Sequence, residues 1–477
     1  MRAAAIALLI GTVSAGAALA RPASPPALPD FTYSVSARNL VEGAALCVAR
    51  NGDAQSGRRL AGLGYYQGAS WSPDGSRFAV ALERRSAGRG IRVLPASGGA
   101  FHALTRPRAT EVDSEPNWSP DGTRIAFSRY VFYGPGHDYR RFGLWVVDTG
   151  TQAERHFSNA LPASGDWSPT DWSPSGDRLA VRFTDGLSLF TADGRLLWTI
   201  SRGQRIGDVA WAPTGDVIAA DFGREVLLVA RDGSVVQTIV RPELGDAELQ
   251  ALESGLSWSP DARRLAVGGG IVFDRDARIV ERYAPPSTRK LVSFDPRWSP
   301  NGTAIVFDQA ATAYVGSRYG QVLTRGAADL YAFAVGSGET SRLTATANVN
   351  ESDVRFRPAP AAGTAGKETP CMREGTAGRD VIHGTGVDDL VDAGPGDDVV
   401  DGRGGDDVIV GGAGADLLVG GPGRDGLWGE RGNDWFRTRD TSRDTLHGGA
   451  GRDRAWVDRR DFVFGVELVS PHSAAHR

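Results

Sequence analysis

The sequence predicts an all-β protein, a seven-bladed β-propeller followed by a parallel β-roll, with a six-bladed propeller as the alternative. Two observations predict this architecture. A motif built on tryptophan, proline and glycine recurs at intervals of 39 to 54 residues over most of the chain, and a motif rich in glycine and aspartate recurs every nine residues near the C-terminus. Fixed periods of this kind are typical of proteins that array or stack one small supersecondary unit.

The first repeat has the form W-S-P-D-G and is followed by an apolar, β-rich run. Its proline presets the second turn residue, its aspartate bonds to nearby backbone and its glycine accepts a positive φ, so each copy predicts two strands joined by a tight turn. Its period fits one four-stranded blade. The copies begin at Trp71, Trp118, Trp172, Trp211, Trp258 and Trp298.

The two ends of this region complement each other. Residues 31–63 lack the motif but carry the strand patterns of the later part of a repeat, and residues 353–358 read as the start of a repeat that stops. We therefore predict a last blade with one strand from the C-terminal side and three from the N-terminal side, which leaves no free sheet edge. Six full units and one shared blade give seven, while the degenerate third and fourth copies leave six open.

These units resemble the repeat of TolB-type propellers over about two-thirds of the chain. The resemblance implies the propeller fold and leaves the activity open, because such propellers serve as scaffolds, binding proteins and peptidase gates. It also implies a structural role for the tryptophans and aspartates of the motif.

The second repeat has the form G-G-x-G-x-D-x-U-x, where U is apolar, and nine copies run from Gly375 to Trp456. Glycine at positions one, two and four permits a positive φ and a close backbone approach. Position eight is expected to point inward, and position six supplies a carboxylate. The position-eight residues are Ile382, Val391, Val400, Ile409, Leu418, Leu427, Phe436, Leu446 and Ala455. The position-six residues are Asp380, Asp389, Asp398, Asp407, Asp416, Asp425, Asp434, Asp444 and Asp453.

This pattern resembles the calcium-binding nonapeptide of RTX, or haemolysin-type, proteins over about one-fifth of the chain. The resemblance implies several Ca²⁺ ions, each held between units n and n+2 by position-six aspartates and turn carbonyls, a mixture of hard oxygens that Ca²⁺ prefers. Stacked carboxylates repel one another without metal, so we predict that the roll folds on binding Ca²⁺. Carried over to this chain, the pairs are Asp380 with Asp398, Asp389 with Asp407, Asp398 with Asp416, Asp407 with Asp425, and Asp416 with Asp434.

Some units depart from the pattern. Unit two has Val387 where glycine is expected, which predicts a strained turn, and unit eight, residues 438–447, has ten residues and no glycine, which predicts that it loops out. The apolar segment 461–468 is expected to cap the open end of the roll. We expect only a secondary role for the first residue of each aspartate doublet, namely Asp388, Asp397 and Asp406.

Charge and composition exclude several classes of function. Residues 375–467 contain 19 acidic residues and 11 arginines, and the net charge of the whole chain is −4. A locally acidic, glycine-rich block argues for cations and against nucleic acid. A basic start, an apolar run over residues 3–17 and the small-x-small site Ala18-Leu19-Ala20 predict a signal peptide and a secreted, extracellular protein. No other run is long and apolar enough to predict a transmembrane segment.

The expected organisation is a signal peptide (1–20), a linker (21–30), the propeller (31–358), a second linker (359–374), the roll (375–468) and a tail (469–477). Cys47 and Cys371 are the two cysteines of the chain. An oxidising space would let them pair, but two cysteines do not define a framework, so pairing stays open.

No catalytic motif stands out, which makes an enzyme the less favoured interpretation. G-x-S-x-G and H-E-x-x-H are absent and the seven histidines are scattered. Two functions remain. The favoured one is a secreted calcium-binding protein whose propeller binds an unknown protein or cell-surface ligand. The alternative is an extracellular hydrolase or lyase with its site in the propeller channel and calcium in a structural role. Apolar and arginine groups in the channel would favour the first, and a cluster of His, Glu and Asp the second.

Overall fold

The computed structural model describes residues 28, 30–37, 44–50, 53–83, 90–96, 100–132, 139–157, 168–183, 185–203, 206–241, 255–283, 291–317, 320–344, 349–356, 358 and 372–471. Every regular element in this part of the chain is a β-strand. Accordingly, these residues contain no helix long and apolar enough to cross a membrane. The segment predicted to be a signal peptide lies outside them.

The propeller consists of four-stranded antiparallel blades. The chain begins with β1 (Phe31–Ala37), β2 (Ala44–Arg50) and the long β3 (Asp53–Trp71), and blade 1 continues from the end of β3 with β4 (Arg77–Glu83), β5 (Ile91–Pro95) and β6 (His102–Ala103). Blade 2 contains β7 (Glu111–Trp118), β8 (Arg124–Phe132), β9 (Tyr139–Asp148) and β10 (Glu154–His156). Blade 3 contains β11 (Ser168–Trp172), β12 (Arg178–Phe183), β13 (Gly186–Thr191) and β14 (Leu196–Ser201). Blade 4 contains β15 (Val209–Trp211), β16 (Val217–Asp221), β17 (Glu225–Ala230) and β18 (Val235–Val240).

The remaining blades follow the same plan. Blade 5 contains β19 (Leu256–Trp258), β20 (Arg264–Val267), β21 (Ile271–Asp274) and β22 (Ile279–Arg282). Blade 6 contains β23 (Leu291–Trp298), β24 (Ala304–Ser317), β25 (Gly320–Ala334) and β26 (Thr340–Arg342). Blade 7 is completed by β27 (Val349–Phe356).

Blade 7 closes the ring with strands from both ends of the propeller. β27 pairs antiparallel with β1, which gives the order β27-β1-β2-β3. The first strands of successive blades contact one another around the whole ring, from β3 through β7, β11, β15, β19, β23 and β27 back to β3. Across the closure, the indole N–H of Trp71 donates to the carbonyl oxygen of Arg355 at 3.3 Å, and Trp172 and Trp258 make the same kind of bond to the preceding blade. The predicted seven blades and shared last blade are confirmed.

Each W-S-P-D-G motif is a hydrogen-bonded turn between the first two strands of a blade. In blade 1, the N–H of Gly75, with φ +63°, donates to the carbonyl of Ser72 at 2.8 Å. The carboxylate of Asp74 accepts bonds from the hydroxyl of Ser72 (2.5 Å) and from the N–H of Ser76 (3.0 Å). These side-chain and backbone bonds lower the pKa of Asp74 to about 2. The aspartate is therefore satisfied inside its own turn.

The roll consists of two six-stranded parallel sheets, and successive nonapeptide units alternate between them. The first roll sheet contains β28 (Arg373–Glu374), β30 (Leu390–Asp392), β32 (Val408–Ala413), β34 (Gly426–Arg431), β36 (Thr445–Ala450) and β38 (Phe462–Phe464). The second roll sheet contains β29 (Val381–His383), β31 (Val399–Asp401), β33 (Leu417–Val419), β35 (Trp435–Arg437), β37 (Arg454–Val457) and β39 (Leu468–Pro471). Because residues 469–471 pair with β37, the last strand runs three residues past the boundary expected at 468.

Position eight forms the core of the roll, as the repeat predicts. Its residues from Val391 to Leu446 have no exposed surface. The expectation that unit eight loops out is wrong, because Leu446 stays in the core and β36 pairs in register with β34. The turn absorbs the extra residue, with Thr441 at φ +91°. Val387 is not among the described residues with a positive φ, so this turn avoids the backbone conformation that would strain a valine.

The first roll sheet packs against the propeller. Leu390, Val408 and Val410, which point out of the roll from positions seven and nine, are at most 6% exposed and share one apolar cluster with residues of β1, β2, β24, β25 and β27. Cys47, in the same cluster, is disulfide-bonded. Cys371 lies outside the described residues.

Candidate metal centre

Two ladders of carboxylates run along the roll. Each position-six aspartate from unit three onward accepts, through Oδ1, a hydrogen bond from the backbone N–H of the position-six residue two units earlier, at 2.6–3.0 Å. Two ladders form because successive units lie in opposite sheets. The first ladder contains Asp380, Asp398, Asp416, Asp434 and Asp453, and the second ladder contains Asp389, Asp407, Asp425 and Asp444. The structure thus brings together every pair that the RTX resemblance implied.

The second oxygen of most of these carboxylates has no partner. Seven side chains that are at most 2% exposed have a buried Oδ2 without a hydrogen bond. They are Asp398, Asp407, Asp416, Asp425, Asp434, Asp444 and Asp453. Burying a polar oxygen without a partner is unfavourable, and such atoms are rare in native proteins. Seven of them in phase with a repeat indicate a ligand that binds between the turns.

The first two aspartates differ from the other seven. Oδ2 of Asp380 accepts hydrogen bonds from the N–H (2.6 Å) and the hydroxyl (2.9 Å) of Thr376. Oδ2 of Asp389 is bonded in the same way by Thr385, at 2.5 and 2.8 Å. Threonine occupies position two in these units, where later units have glycine or another residue. The nine predicted metal residues therefore divide into seven with an open Oδ2 and two whose Oδ2 is already hydrogen-bonded by threonine.

Glycine at position one makes room for the carboxylate. A Cβ at Gly402 would lie under 3.0 Å from Oδ2 of Asp407 and 2.7 Å from the carbonyl oxygen of Gly420. A carboxylate oxygen and a carbonyl oxygen of the next turn thus flank the same point, and the same arrangement recurs at Gly429. The glycine is required here by space, since Gly402 is not among the residues with a positive φ.

Burial and mutual repulsion favour the protonated form of these aspartates. Burial raises the pKa of Asp407 to about 9, and the carboxylates of Asp425 and Asp389 contribute to the rise. Burial likewise raises the pKa of Asp444 to about 8 and that of Asp416 to about 7. A bound cation favours the ionised form and opposes these shifts. The buried carboxylates of the ladders are therefore stabilised either by protonation or by a bound cation.

The donor set consists of oxygen atoms. In the described part of the chain no three or more His, Cys, Asp and Glu side chains come together as a metal cluster. Each candidate site instead combines two carboxylates with backbone carbonyls. This combination fits Ca²⁺, which takes six to eight hard oxygens, and differs from the nitrogen and sulfur ligands typical of zinc.

The first aspartate of each doublet forms an outer ladder. Oδ1 of Asp397 accepts from the N–H of Ala415 at 2.8 Å, and Oδ1 of Asp406 accepts from the N–H of Arg424 at 2.9 Å. These carboxylates hold neighbouring turns together from the solvent side, in keeping with the secondary role expected for them.

Two acidic residues beyond the last repeat continue the ladders, and the repeat pattern misses both. The N–H of Asp444 donates to Oδ1 of Asp461 at 3.1 Å, and the N–H of Asp453 donates to Oε2 of Glu467 at 2.6 Å. Their separations along the chain are 17 and 14 residues, whereas most ladder steps span 18. The available signal was an acidic residue at each end of the segment expected to cap the roll.

The first strands of the propeller carry a separate polar cluster. Arg297 pairs with Asp295 (2.6 Å) and approaches Asp208 (4.0 Å), and Arg355 lies 3.6 Å from Asp295. Described histidines lie elsewhere, with His102 and His156 on the fourth strands of blades and His383 and His447 in the roll. Within the described residues, the first strands of the blades therefore carry arginine–carboxylate pairs and contain no histidine.

The family model of the RTX calcium-binding nonapeptide repeat matches residues 374–409, 401–436 and 440–458. The chain thus carries RTX calcium-binding repeats.

Among solved structures it is similar to TolB from Acinetobacter baumannii, with 14% identity, 68% of this chain and 65% of that chain covered, and a TM-score of 0.39. It is also similar to a chain of the Mitotic Checkpoint Complex, with 17% identity, 58% and 89% covered, and a TM-score of 0.40. The chain spans less than two-thirds of the TolB chain. No curated protein matches it.

Proposed function

We propose that this protein is an exported calcium-binding protein whose roll folds on Ca²⁺ and whose propeller presents a surface for a binding partner. The observation that carries the calcium proposal is the set of seven buried Oδ2 atoms without partners, repeated in phase along both ladders. We assign the ligand role to the position-six aspartates. The best-supported sites are those in which both members have an open oxygen, namely Asp398 with Asp416, Asp416 with Asp434, Asp434 with Asp453, Asp407 with Asp425, and Asp425 with Asp444.

The surrounding residues prepare these sites. Position-one glycines leave space for each carboxylate, and turn carbonyls such as that of Gly420 flank the same point. Thr376 and Thr385 satisfy Oδ2 of the first carboxylate of each ladder. This supports the assignment of Asp380 and Asp389 as the N-terminal ends of the two ladders. The ion supplies the positive charge that lets the remaining carboxylates stay ionised while buried.

Calcium titration of the full-length protein tests the proposal. We expect calorimetry to detect several bound ions. We also expect amide exchange in the roll to slow about 100-fold when free Ca²⁺ exceeds the dissociation constant about 100-fold, while exchange in the propeller changes little. Mg²⁺ serves as the control, since it demands a tighter octahedral shell and should protect the roll less. Absence of bound Ca²⁺ at millimolar concentration would contradict the proposal.

Export is supported by the signal-peptide pattern of residues 1–20 and by the calcium chemistry. Calcium sites of extracellular modules have dissociation constants of about 10⁻⁴–10⁻³ M, which extracellular calcium can fill. The test is the mass of the mature protein in the culture medium, which should begin at Arg21. Retention of residues 1–20 on the mature protein would oppose this part of the proposal.

For the propeller, binding is better supported than catalysis. The arginine–carboxylate pairs around Arg297 and Arg355 suit recognition of a protein or cell-surface ligand by complementary charge. Hydrolase or lyase turnover that was abolished by substitution of Asp208 or Asp295 would contradict this assignment.

A further inference from the structure

We infer that Glu467, which lies beyond the last nonapeptide, is a ligand of one additional calcium site, formed with Asp453 and the carbonyl of Gly465. This inference rests on the proposed calcium function and extends it to a segment outside the repeats. The first ladder would then continue one step past its last position-six aspartate.

Backbone contacts place Glu467 where a position-six aspartate belongs. The N–H of Asp453 donates to Oε2 of Glu467 at 2.6 Å, just as the N–H of Asp434 donates to Oδ1 of Asp453 at 2.9 Å. The residue that follows the accepting carboxylate makes the same backbone hydrogen bond in both steps. Leu468 donates its N–H to the carbonyl of Asp453 at 3.1 Å, and Arg454 donates its N–H to the carbonyl of Asp434 at 2.8 Å.

Gly465 supplies the carbonyl that a position-one glycine supplies elsewhere. A Cβ at Gly448 would lie under 3.0 Å from both Oδ2 of Asp453 and the carbonyl oxygen of Gly465. One step earlier, a Cβ at Gly429 would meet Oδ2 of Asp434 and the carbonyl oxygen of Gly448 in the same way. The carbonyl of Gly465 therefore flanks the point at which the last aspartate of the ladder directs its oxygen.

The buried oxygen of Asp453 is what requires a ligand here. The side chain of Asp453 is fully buried, and its Oδ1 accepts the N–H of Asp434. Its Oδ2 has no hydrogen-bond partner. The carboxylates of Asp453 and Glu467 and the carbonyl of Gly465 are oxygen ligands of the kind that Ca²⁺ prefers.

The local sequence conceals this site because the turn before Glu467 is shortened. Gly465, which contributes the carbonyl oxygen, lies two positions before Glu467, whereas Gly448 lies five positions before Asp453. Glutamate is one methylene longer than aspartate, which compensates for the shorter turn. A groove of about 950 Å³ beside this ladder is lined by Asp398, Asp416, Asp434 and also Glu467.

The other ladder ends differently. Oδ2 of Asp461 accepts hydrogen bonds from the hydroxyl of Thr438 at 3.1 Å and from the N–H of Asp458 at 2.9 Å, while Oδ1 accepts the N–H of Asp444. Both oxygens of this terminal carboxylate are therefore satisfied within the protein. This contrast limits the proposal to the ladder that ends at Glu467.

The test is the number of calcium ions bound by the full-length chain, measured by native mass spectrometry together with calorimetry. Glu467→Gln removes the charge but keeps an oxygen that can accept the N–H of Asp453, so the roll should still fold. Asp453→Asn alters two neighbouring sites. Glu430→Gln, the same substitution at another glutamate of the roll, is the matched control.

We expect Glu467→Gln to bind one ion fewer than the wild type, Asp453→Asn two fewer and Glu430→Gln the same number. Amide exchange in the earlier rungs should remain protected by Ca²⁺ in Glu467→Gln. An unchanged ion count in Glu467→Gln would overturn the inference, and so would the loss of every ion, which would assign Glu467 to holding the cap. A wild-type protein that binds no Ca²⁺ would instead refute the proposed function itself.

Discussion

An aspartate recurs at the turns in both halves of this molecule, but its surroundings are opposite in the two halves. In the propeller, Asp74 accepts hydrogen bonds from its own turn, and its pKa falls to about 2. In the roll, Asp407 is buried with an unsatisfied Oδ2, and burial raises its pKa to about 9. The turn of Asp74 supplies all the partners of its carboxylate, whereas the roll leaves one oxygen open on seven of its nine position-six aspartates.

From this difference, the proposed function predicts that the stability of the roll depends on calcium more strongly than that of the propeller. Each propeller blade buries a broad apolar face against its neighbour, so its turns need only local hydrogen bonds. Inside the roll, each strand contributes little more than one apolar side chain, such as Ile409 or Leu418. Under the proposed function, bound Ca²⁺ would supply the stability that this thin core lacks, as in small metal-dependent domains.

Exchanging the carboxylate for an amide in each half should show the largest difference. We expect Asp407→Asn to raise the calcium midpoint of roll folding by about 10-fold or more, because Asp407 belongs to two candidate sites. Asp74→Asn should leave that midpoint unchanged and destabilise the propeller by about 1 kcal/mol through weaker turn hydrogen bonds. Circular dichroism during calcium titration and thermal unfolding measure the two effects. Equal midpoints for wild type and Asp407→Asn would remove the distinction between the halves.

A smaller effect is expected from filling the space beside the carboxylate. Gly402→Ala places a Cβ under 3.0 Å from Oδ2 of Asp407, so the carboxylate must shift and calcium affinity should fall. Gly404→Ala, in the same turn, is the matched control, because its Cβ would meet only the carbonyl of Pro422, at 3.5 Å. We expect calorimetry to give weaker binding for the first variant and nearly wild-type binding for the second. Similar affinities in both variants would show that position one does not shape the site.

One propeller aspartate, Asp171, departs from this contrast because its pKa is raised rather than lowered. Oδ2 of Asp171 accepts the N–H of Trp211 at 3.1 Å, but burial, with a contribution from the charge of Asp208, raises the pKa of Asp171 to about 7. Since the unfolded value is near 3.8, this residue stabilises the propeller fully below about pH 4. That contribution is lost as pH rises through about 7, with a slope of at most about 1.4 kcal/mol per pH unit.

Thermal unfolding of wild type and Asp171→Asn between pH 4 and 8, at fixed Ca²⁺, measures this contribution. The amide keeps the bond from Trp211 and cannot titrate in this range. The wild-type minus variant difference in stability should therefore decrease as pH rises. A difference that does not change with pH would mean that Asp171 titrates normally.

The repeat patterns predict both folds because a fixed period specifies which face each residue occupies. Asp at position six and an apolar residue at position eight, recurring every nine residues, determine the two ladders and the core. The shared seventh blade also follows from sequence, since residues 31–63 and 353–358 are complementary fragments of one unit. Unit eight shows the limit of this reasoning, because counting residues and glycines does not reveal that Thr441 absorbs the insertion.

Features that depend on one local contact do not follow from the period. The threonine hydroxyls that satisfy Asp380 and Asp389 depend on side-chain rotamers at position two. Glu467 joins the ladder through a shortened turn that matches no repeat. The packing of Val408 and Val410 on the propeller falls on positions seven and nine, which the repeat leaves unspecified.

The ring of the propeller is closed by strands that lie far apart in the chain. The hydroxyl of Thr32 donates to the carbonyl of Arg355, 323 residues later. Contacts of such long separation form slowly, because the intervening chain loses much conformational freedom before they are made. During synthesis, β1 can pair with β2 early, but its other neighbour, β27, is missing until residues 349–356 emerge. The roll comes after them, so the ribosome completes it only when the propeller already has its last strand.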